Sequence, residues 1–135
     1  MILVDTSVLI GYLKGQGNAK TEIFDRVLAA DIPFGISPYT YHEILQGARN
    51  EGEYSRLREY LSTQTIHYLP QELEVYGKAA QMYFELRRRG ITPRGTIDVL
   101  IALTAIESGL LLLHNDRDFD LMAQRLPELK ILERL

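Results

Sequence analysis

The sequence contains no cysteine among its 135 residues. The chain can therefore form neither a disulfide nor a metal site with thiolate ligands, which is typical of a protein in a reducing cytosol. It also lacks an apolar run long enough to span a bilayer, and its apolar start lacks the basic leading segment of a signal peptide. We expect a cytoplasmic protein without disulfides that is not inserted in a membrane.

An excess of positive charge is missing as well. The chain has 15 Lys and Arg residues against 18 Asp and Glu residues, a formal net charge of −3 at pH 7. A global attraction to nucleic acid is thus excluded, and any such binding must use a local basic patch or a metal ion. The length and the hydrophobic fraction of 46% indicate one globular domain, which we expect to span residues 1–135.

Short apolar runs alternate with longer amphipathic stretches along the chain. This alternation predicts strands connected by helices, and therefore a parallel α/β sheet with helices on both faces. Ser37-Pro38 is typical of a helix start, whereas Gly90 and Gly109 are typical of helix ends. The predicted strands are residues 2–4, 33–37, 65–69, 110–113 and 129–132.

Acidic side chains follow two of these strands, at the edge where open parallel sheets bind ligands. Asp5 comes directly after the first strand, and Asp116 follows the strand that ends at Leu113. Each of them can also be explained as the cap of the next helix. Asp98 lies in the first turn of TIDVLIALTA, which is so apolar that the helix should be buried. Because Thr96 is available as a cap, Asp98 keeps spare negative charge in an apolar setting.

These carboxylates predict a site for a divalent metal ion. Clustered carboxylates without partners repel one another, and a hard cation relieves that repulsion. Mg²⁺ and Mn²⁺ prefer oxygen ligands, and in such a site they activate water and hold a phosphate oxygen. Glu43 is a weaker candidate, because its periodicity places it opposite the apolar face of its helix, where a solvated glutamate is expected.

Four segments resemble the PIN-domain nucleases, in particular the VapC-type toxins of bacterial and archaeal toxin–antitoxin pairs. They are VDTSVLI, HEILQGAR, IDVLIALTA and LLLHNDRDF, and their order and spacing agree along nearly the whole chain. The resemblance implies a PIN-like three-layer α/β/α fold with a parallel sheet of four or five short strands. It also implies that the protein is an Mg²⁺- or Mn²⁺-dependent endoribonuclease that acts as a toxin.

The resemblance also implies which side chains form the active site. The expected catalytic residues are Asp5, Glu43, Asp98 and Asp116. Three of them, Asp5, Asp98 and Asp116, are the expected metal ligands, with Glu43 and Asp118 as secondary candidates.

Residues beside these carboxylates are expected to support them. Thr6 matches the family's polar residue next to the first aspartate, and it is expected to orient Asp5 or a water at the metal. Many relatives carry Thr or Ser where this chain has His114 and Asn115, so it is open whether Asn115 replaces that hydroxyl. Arg94 and Arg117 adjoin the predicted ligands and are the expected RNA phosphate contacts.

The resemblance further implies an antitoxin partner and a symmetric homodimer. The stretch from Tyr12 to Leu28 and the one from Glu51 to Leu61 offer amphipathic surface for an antitoxin, although core packing explains most of their apolar residues equally well. Two alternatives stay open: a non-catalytic PIN module that binds RNA or a partner, and a phosphoesterase with a non-RNA substrate. The sequence specifies neither the RNA that is cut nor the number of metal ions.

Overall fold

The computed structural model describes residues 1–135 as three strands and seven helices. The strands are β1 (Ile2–Val4), β2 (Phe34–Gly35) and β3 (Leu111–Leu113). The helices are α1 (Thr6–Leu13), α2 (Ala19–Ala29), α3 (Pro38–Gln46), α4 (Glu51–Ser62), α5 (Leu73–Arg88), α6 (Thr96–Ser108) and α7 (Arg117–Arg125). None of these helices combines the length and the apolar composition that are needed to cross a membrane.

The three strands form one parallel sheet with the order β2-β1-β3. The central strand is β1, because Ile2 pairs with Phe34 on one side and with Leu111 on the other. All residues of β1 are buried, as expected for a parallel strand that is covered on both faces. The carboxyl end of this strand leads directly into Asp5, so the first predicted ligand follows the central, buried strand of the sheet.

The prediction of four or five strands was too high. The predicted outer strands, residues 65–69 and 129–132, lie beside the sheet but make only one parallel bridge each. These bridges join Ile36 with Ile66 and Leu112 with Ile131. An outer segment can pair on one side only, so little holds it in the ladder beyond a single bridge. The five segments therefore lie side by side in the order expected for a five-stranded sheet, but only β2, β1 and β3 are paired as regular strands.

The strands send alternate side chains into two separate cores, which makes the fold a three-layer α/β/α structure. Ile2 and Val4 belong to the core that is built with α1, α2, α3 and α4. Leu3 belongs to the opposite core, which is built with α5, α6 and α7. This alternation follows from the two-residue period of a strand. The predicted α/β class with helices on both faces is confirmed.

The helix termini follow the predicted signals with one exception. Ser37 caps α3 by accepting a hydrogen bond from the Thr40 N–H at 3.1 Å, and Gly109 ends α6 with a left-handed φ of 65°. The assignment of Thr96 as the cap of α6 was wrong, because Gly95 is the N-cap and has no side chain that accepts a hydrogen bond. The first turn of α6, which contains Asp98, is therefore left without a side-chain cap.

Candidate active site

Five carboxylates come together near the carboxyl ends of β1 and β3. Asp5 follows β1, and Asp116 and Asp118 lie at the start of α7, after β3. Asp98 comes from the first turn of α6, and Glu43 comes from α3. Elements of both helical layers thus contribute to one acidic group, as expected at this edge of a parallel sheet.

Asp5 is the most buried of the five, with only 4% of the residue exposed. Its Oδ2 accepts hydrogen bonds from the Ser7 N–H at 3.0 Å and from the Ser7 hydroxyl at 2.5 Å. Burial raises the pKa of Asp5 to about 6 although the Ser7 hydrogen bonds act against it, and the charge of Glu43 adds a smaller rise. The carboxylate therefore caps α1 and at the same time carries poorly compensated charge.

Asp98 is close to all the other carboxylates of the site. Burial raises the pKa of this half-buried carboxyl to about 6, and the negative charges around it raise that pKa further. Those charges belong to Asp5, Asp116, Asp118 and Glu43. One carboxylate oxygen from each of Asp98, Asp116 and Asp118 lies within 4.8 Å of the other two. Asp118, which the sequence ranked second as a ligand, is thus part of the tightest group.

Glu43 is connected to the site through Thr6. The Thr6 hydroxyl donates a hydrogen bond to Glu43 Oε1 at 2.7 Å, and its oxygen lies 3.0 Å from Thr40 Oγ1. Glu43 is only partly exposed, so the solvated position that periodicity predicted was wrong. The pattern of α3 reports the side that faces the core, but the helix also packs against α1 and α6, and Glu43 lies on that side.

Ser7 is a site residue that the sequence argument missed. It donates two hydrogen bonds to Asp5, whereas the resemblance implied that Thr6 orients Asp5 or a water at the metal. Its hydroxyl oxygen also accepts a hydrogen bond from the backbone N–H of Asn115 at 2.8 Å. Ser7 therefore links the segment after β1 with the segment after β3. The available signal was its place two residues after Asp5, where a helix-capping carboxylate usually accepts its hydrogen bond.

His114 supports the segment after β3 from inside the core. The residue is 1% exposed, and its ring packs against Phe119 with the ring centroids 5.1 Å apart. Its Nδ1 accepts a hydrogen bond from the Asp116 N–H at 3.0 Å. Burial lowers the pKa of His114, so the ring is neutral near pH 7 and holds the backbone of Asp116.

The two predicted phosphate-binding arginines lie in different surroundings. Arg94 Nη2 is 3.1 Å from both carboxylate oxygens of Asp116, and Arg94 Nε is 3.2 Å from Asp118 Oδ2. Arg117 is exposed and takes part in none of the salt bridges of the chain. One of the two cations is therefore already held by carboxylates of the site.

The donor atoms fit a hard divalent cation. Oxygens on opposite sides of a bound Mg²⁺ are about 4 Å apart, since each Mg–O distance is about 2.0–2.1 Å. The three oxygens of Asp98, Asp116 and Asp118 lie within 4.8 Å of one another, so they are grouped closely enough to be drawn onto one ion, at which neighbouring ligand oxygens are about 3 Å apart. The raised pKa values of Asp5 and Asp98 indicate negative charge that a cation would compensate. Asp5 lies outside the three-oxygen group, next to Asp98.

Comparison with known proteins agrees with this arrangement. A sequence model of the family described as PIN domain matches residues 2–124. The chain is 30% identical over 125 residues to Ribonuclease VapC11 of Mycobacterium tuberculosis, covering 92% of this chain and 92% of that protein. The same values hold for VapC ribonuclease Mb1587 of Mycobacterium bovis.

Solved structures share the fold over almost the full length. The structure of VapBC-1 from nontypeable Haemophilus influenzae has a TM-score of 0.68 at 27% identity, covering 98% of this chain and 97% of the other. VapBC2 from Rickettsia felis, solved with a DNA fragment from its promoter, has a TM-score of 0.73 at 21% identity and coverage of 98% in both chains. Sequence and structure together show that the chain belongs to the PIN-domain family.

Proposed function

We propose that this protein is a metal-dependent endoribonuclease of the VapC type and the toxin of a toxin–antitoxin pair, with residues 1–135 as a single PIN domain. The observation that carries the proposal is the meeting of Asp5, Asp98 and Asp116 at one edge of the sheet. Burial and mutual repulsion disfavour such a group of carboxylates without a cation. A non-catalytic binding module would gain stability by replacing these carboxylates with uncharged residues, so their presence favours an enzyme. Relatives that are 30% identical are named ribonucleases, which supports RNA as the substrate.

We infer that Asp5, Asp98 and Asp116 hold Mg²⁺ or Mn²⁺, and that Asp118 joins them because its oxygen lies in the same group. When bound, such an ion lowers the pKa of water and stabilises the negative charge that develops on the phosphoryl group. All the donors are oxygens, and this set suits Mg²⁺ and Mn²⁺ better than a softer metal.

The remaining side chains position the reactants in this proposal. Thr6 fixes the Glu43 carboxylate through its 2.7 Å hydrogen bond, and Glu43 orients the attacking water and accepts its proton. Ser7 donates two hydrogen bonds to Oδ2 of Asp5. The other oxygen of this carboxylate, Oδ1, remains available for the metal ion. Arg94 and Arg117 bind phosphates of the RNA backbone, since both adjoin the carboxylates.

An antitoxin is the proposed protein partner, as in the VapBC complexes of similar fold. The candidate surface lies on α1, α2 and α4, the stretches that the sequence indicated. Their innermost residues, such as Phe24 and Leu61, are in the core and are not available. Partly buried apolar residues that remain at the surface of these helices are Tyr12, Leu13, Leu28, Leu57 and Tyr60. The homodimer remains a prediction from the family resemblance, and the cytoplasmic location remains a prediction from the sequence, which has no cysteine.

The test of this proposal is RNA cleavage by protein that has been freed of any co-purified partner. Total RNA is incubated with the protein and Mn²⁺ or Mg²⁺, and then with excess chelator. We expect discrete fragments that disappear with the chelator and are reduced at least about a hundredfold in Asp5→Asn and in Asp98→Asn. Asp25→Asn, the same change at an exposed carboxylate of α2, is the matched control and should cut normally.

Two results would contradict the proposal. Cleavage that persists in Asp5→Asn and Asp98→Asn would place the activity elsewhere or in a contaminant. Failure of the wild-type protein to cut RNA, with metal binding confirmed and the partner removed, would favour a binding module or a phosphoesterase with a non-RNA substrate.

A further inference from the structure

Arg94 is the basic side chain that is paired with the acidic site. Its guanidinium contacts both oxygens of Asp116 through Nη2, at 3.1 Å each, and Asp118 Oδ2 through Nε at 3.2 Å. The other Lys and Arg salt bridges of the chain are formed by Arg49, Lys78 and Arg88, and none of these involves the site. The guanidinium thus bridges two carboxylates through two of its nitrogens, which the single ammonium group of a lysine could not do in the same way.

The same two carboxylates belong to the three-oxygen group with Asp98. A cation bound by these oxygens would lie within a few ångströms of the guanidinium charge, because Arg94 contacts both oxygens of Asp116. Two positive charges that close repel each other, and they also compete for the same lone pairs. Arg94 in this position and a divalent ion are therefore alternative counter-ions for one pair of carboxylates.

We propose that Arg94 is an internal counter-ion, which holds Asp116 and Asp118 in the metal-free protein and is displaced when a divalent cation binds there. Displacement frees the guanidinium to bind a phosphate of the substrate at the same edge of the site. This inference rests on the proposed function, because it uses the same metal site. Arg94 would thus bind two negatively charged partners in turn, the carboxylates before the cation binds and a substrate phosphate afterwards.

The local structure permits this exchange. The Arg94 side chain is 75% exposed, and ion pairs at such exposure are weak and are screened by salt. The side chain can therefore swing into solvent without opening the core. The backbone N–H of Arg94 donates a separate hydrogen bond to Asp118 Oδ2 at 3.2 Å, and this contact keeps the loop in place when the guanidinium leaves.

The first test compares Mn²⁺ affinities by isothermal titration calorimetry, without RNA. Arg94→Ala removes the competitor and should bind Mn²⁺ roughly three- to tenfold more tightly than the wild-type protein. Arg94→Lys keeps the charge but cannot bridge both carboxylates, so its affinity should lie between the two. Arg117→Ala is the matched control, since it removes one positive charge next to Asp116 that makes no ion pair, and it should change the affinity less than about twofold. Equal gains in Arg94→Ala and Arg117→Ala would overturn the inference, because net charge alone would then explain both.

The second test follows Arg94 itself by NMR of the arginine Nε–H groups in ¹⁵N-labelled protein. The Arg94 signal is assigned as the one that is missing in Arg94→Lys. Titration with Mg²⁺, which is diamagnetic, should shift this signal and speed its exchange with solvent, while the Arg117 signal changes little. An Arg94 signal that keeps its position and its slow exchange at saturating Mg²⁺ would overturn the inference.

These measurements separate this inference from the proposed nuclease function. If metal binds and RNA is cut while Arg94 stays in place, only the counter-ion role is wrong. If metal displaces Arg94 and RNA is not cut, the counter-ion role holds and the nuclease function is wrong. If no variant binds Mn²⁺ or Mg²⁺, both are wrong.

Discussion

The acidic site has two halves that contain the same kind of side chain in different electrostatic states. The inner pair, Asp5 and Asp98, has no cationic partner, and burial raises the pKa of both carboxyls to about 6. The outer pair, Asp116 and Asp118, is bridged by Arg94 at 3.1–3.2 Å. The protein therefore compensates the charge of the outer pair with an exposed arginine, and it leaves the charge of the inner pair without a cationic partner.

This difference assigns separate roles to the two halves in metal binding. A cation relieves the uncompensated charge of the inner pair, so the inner pair provides the gain in binding free energy. At the outer pair the cation must first replace Arg94. The competition with Arg94 therefore lowers the affinity of the site for the cation. Substitutions in the two halves should therefore have effects of opposite sign on the metal-free protein.

The largest effect is expected at the inner pair, in the pH dependence of stability without metal. Because the pKa of Asp5 is raised from 3.8 to about 6, the folded protein binds this proton more tightly than the unfolded chain does. Stability then falls as the pH rises from about 4 to about 6, by up to roughly 3 kcal/mol. Asp5→Asn lacks this loss, so its free energy of unfolding relative to wild type should increase by up to that amount between pH 4 and pH 7.

Urea unfolding in excess chelator measures this difference. Asp25→Asn, at an exposed position of α2, serves as the control and should show no such change with pH. A difference between Asp5→Asn and the wild-type protein that stays constant from pH 4 to pH 7 would contradict the poorly compensated charge of the inner pair.

A smaller effect is expected from removing the hydrogen bond between Thr6 and Glu43, the acid next to the inner pair. Thr6→Val removes the hydroxyl that holds Glu43 but leaves every carboxylate present. We expect the single-turnover rate of RNA cleavage at saturating Mn²⁺ to fall about ten- to a hundredfold, which corresponds to about 1.4–2.7 kcal/mol. Thr6→Ser keeps the hydroxyl and should restore most of the rate. Wild-type rates in Thr6→Val would show that Glu43 does not need this contact.

The smallest effect is expected at the outer pair. Asp116→Asn weakens the contact with Arg94, whose side chain is 75% exposed, and exposed ion pairs of this kind contribute little to stability. The asparagine oxygen can still accept the Asp118 N–H and cap α7. We therefore expect only a small loss of metal-free stability at pH 7, well below the effects at the inner pair, measured as a slightly lower midpoint of urea unfolding. A gain in stability would show that the repulsion between Asp116 and Asp98 outweighs the contact with Arg94, and would contradict the role of Arg94 as the counter-ion of the outer pair.

Much of the fold could be predicted because its signals are local. The central strands are runs of apolar residues, and Ser37 and Gly109 are the residue types that helix termini favour. Asp5 and Asp98 stood out as charges in apolar surroundings, which is a property of the sequence alone. The outer segments at residues 65–69 and 129–132 have the same local pattern, yet their pairing depends on a neighbour on one side only, and the pattern does not contain that information.

The local order of residues by itself determined the α/β class and the acidic character of the ends of β1 and α6. Only the tertiary structure decided that Glu43 turns to Thr6, that Ser7 rather than Thr6 holds Asp5, and that Arg94 lies on the outer pair. Helix and strand patterns reflect interactions within a few residues. The contact of Thr6 with Glu43 joins residues 37 positions apart, and the contact of Asn115 with Ser7 joins residues 108 positions apart. Such contacts depend on how whole elements pack, because only the packing brings distant side chains within the short range of a hydrogen bond or an ion pair.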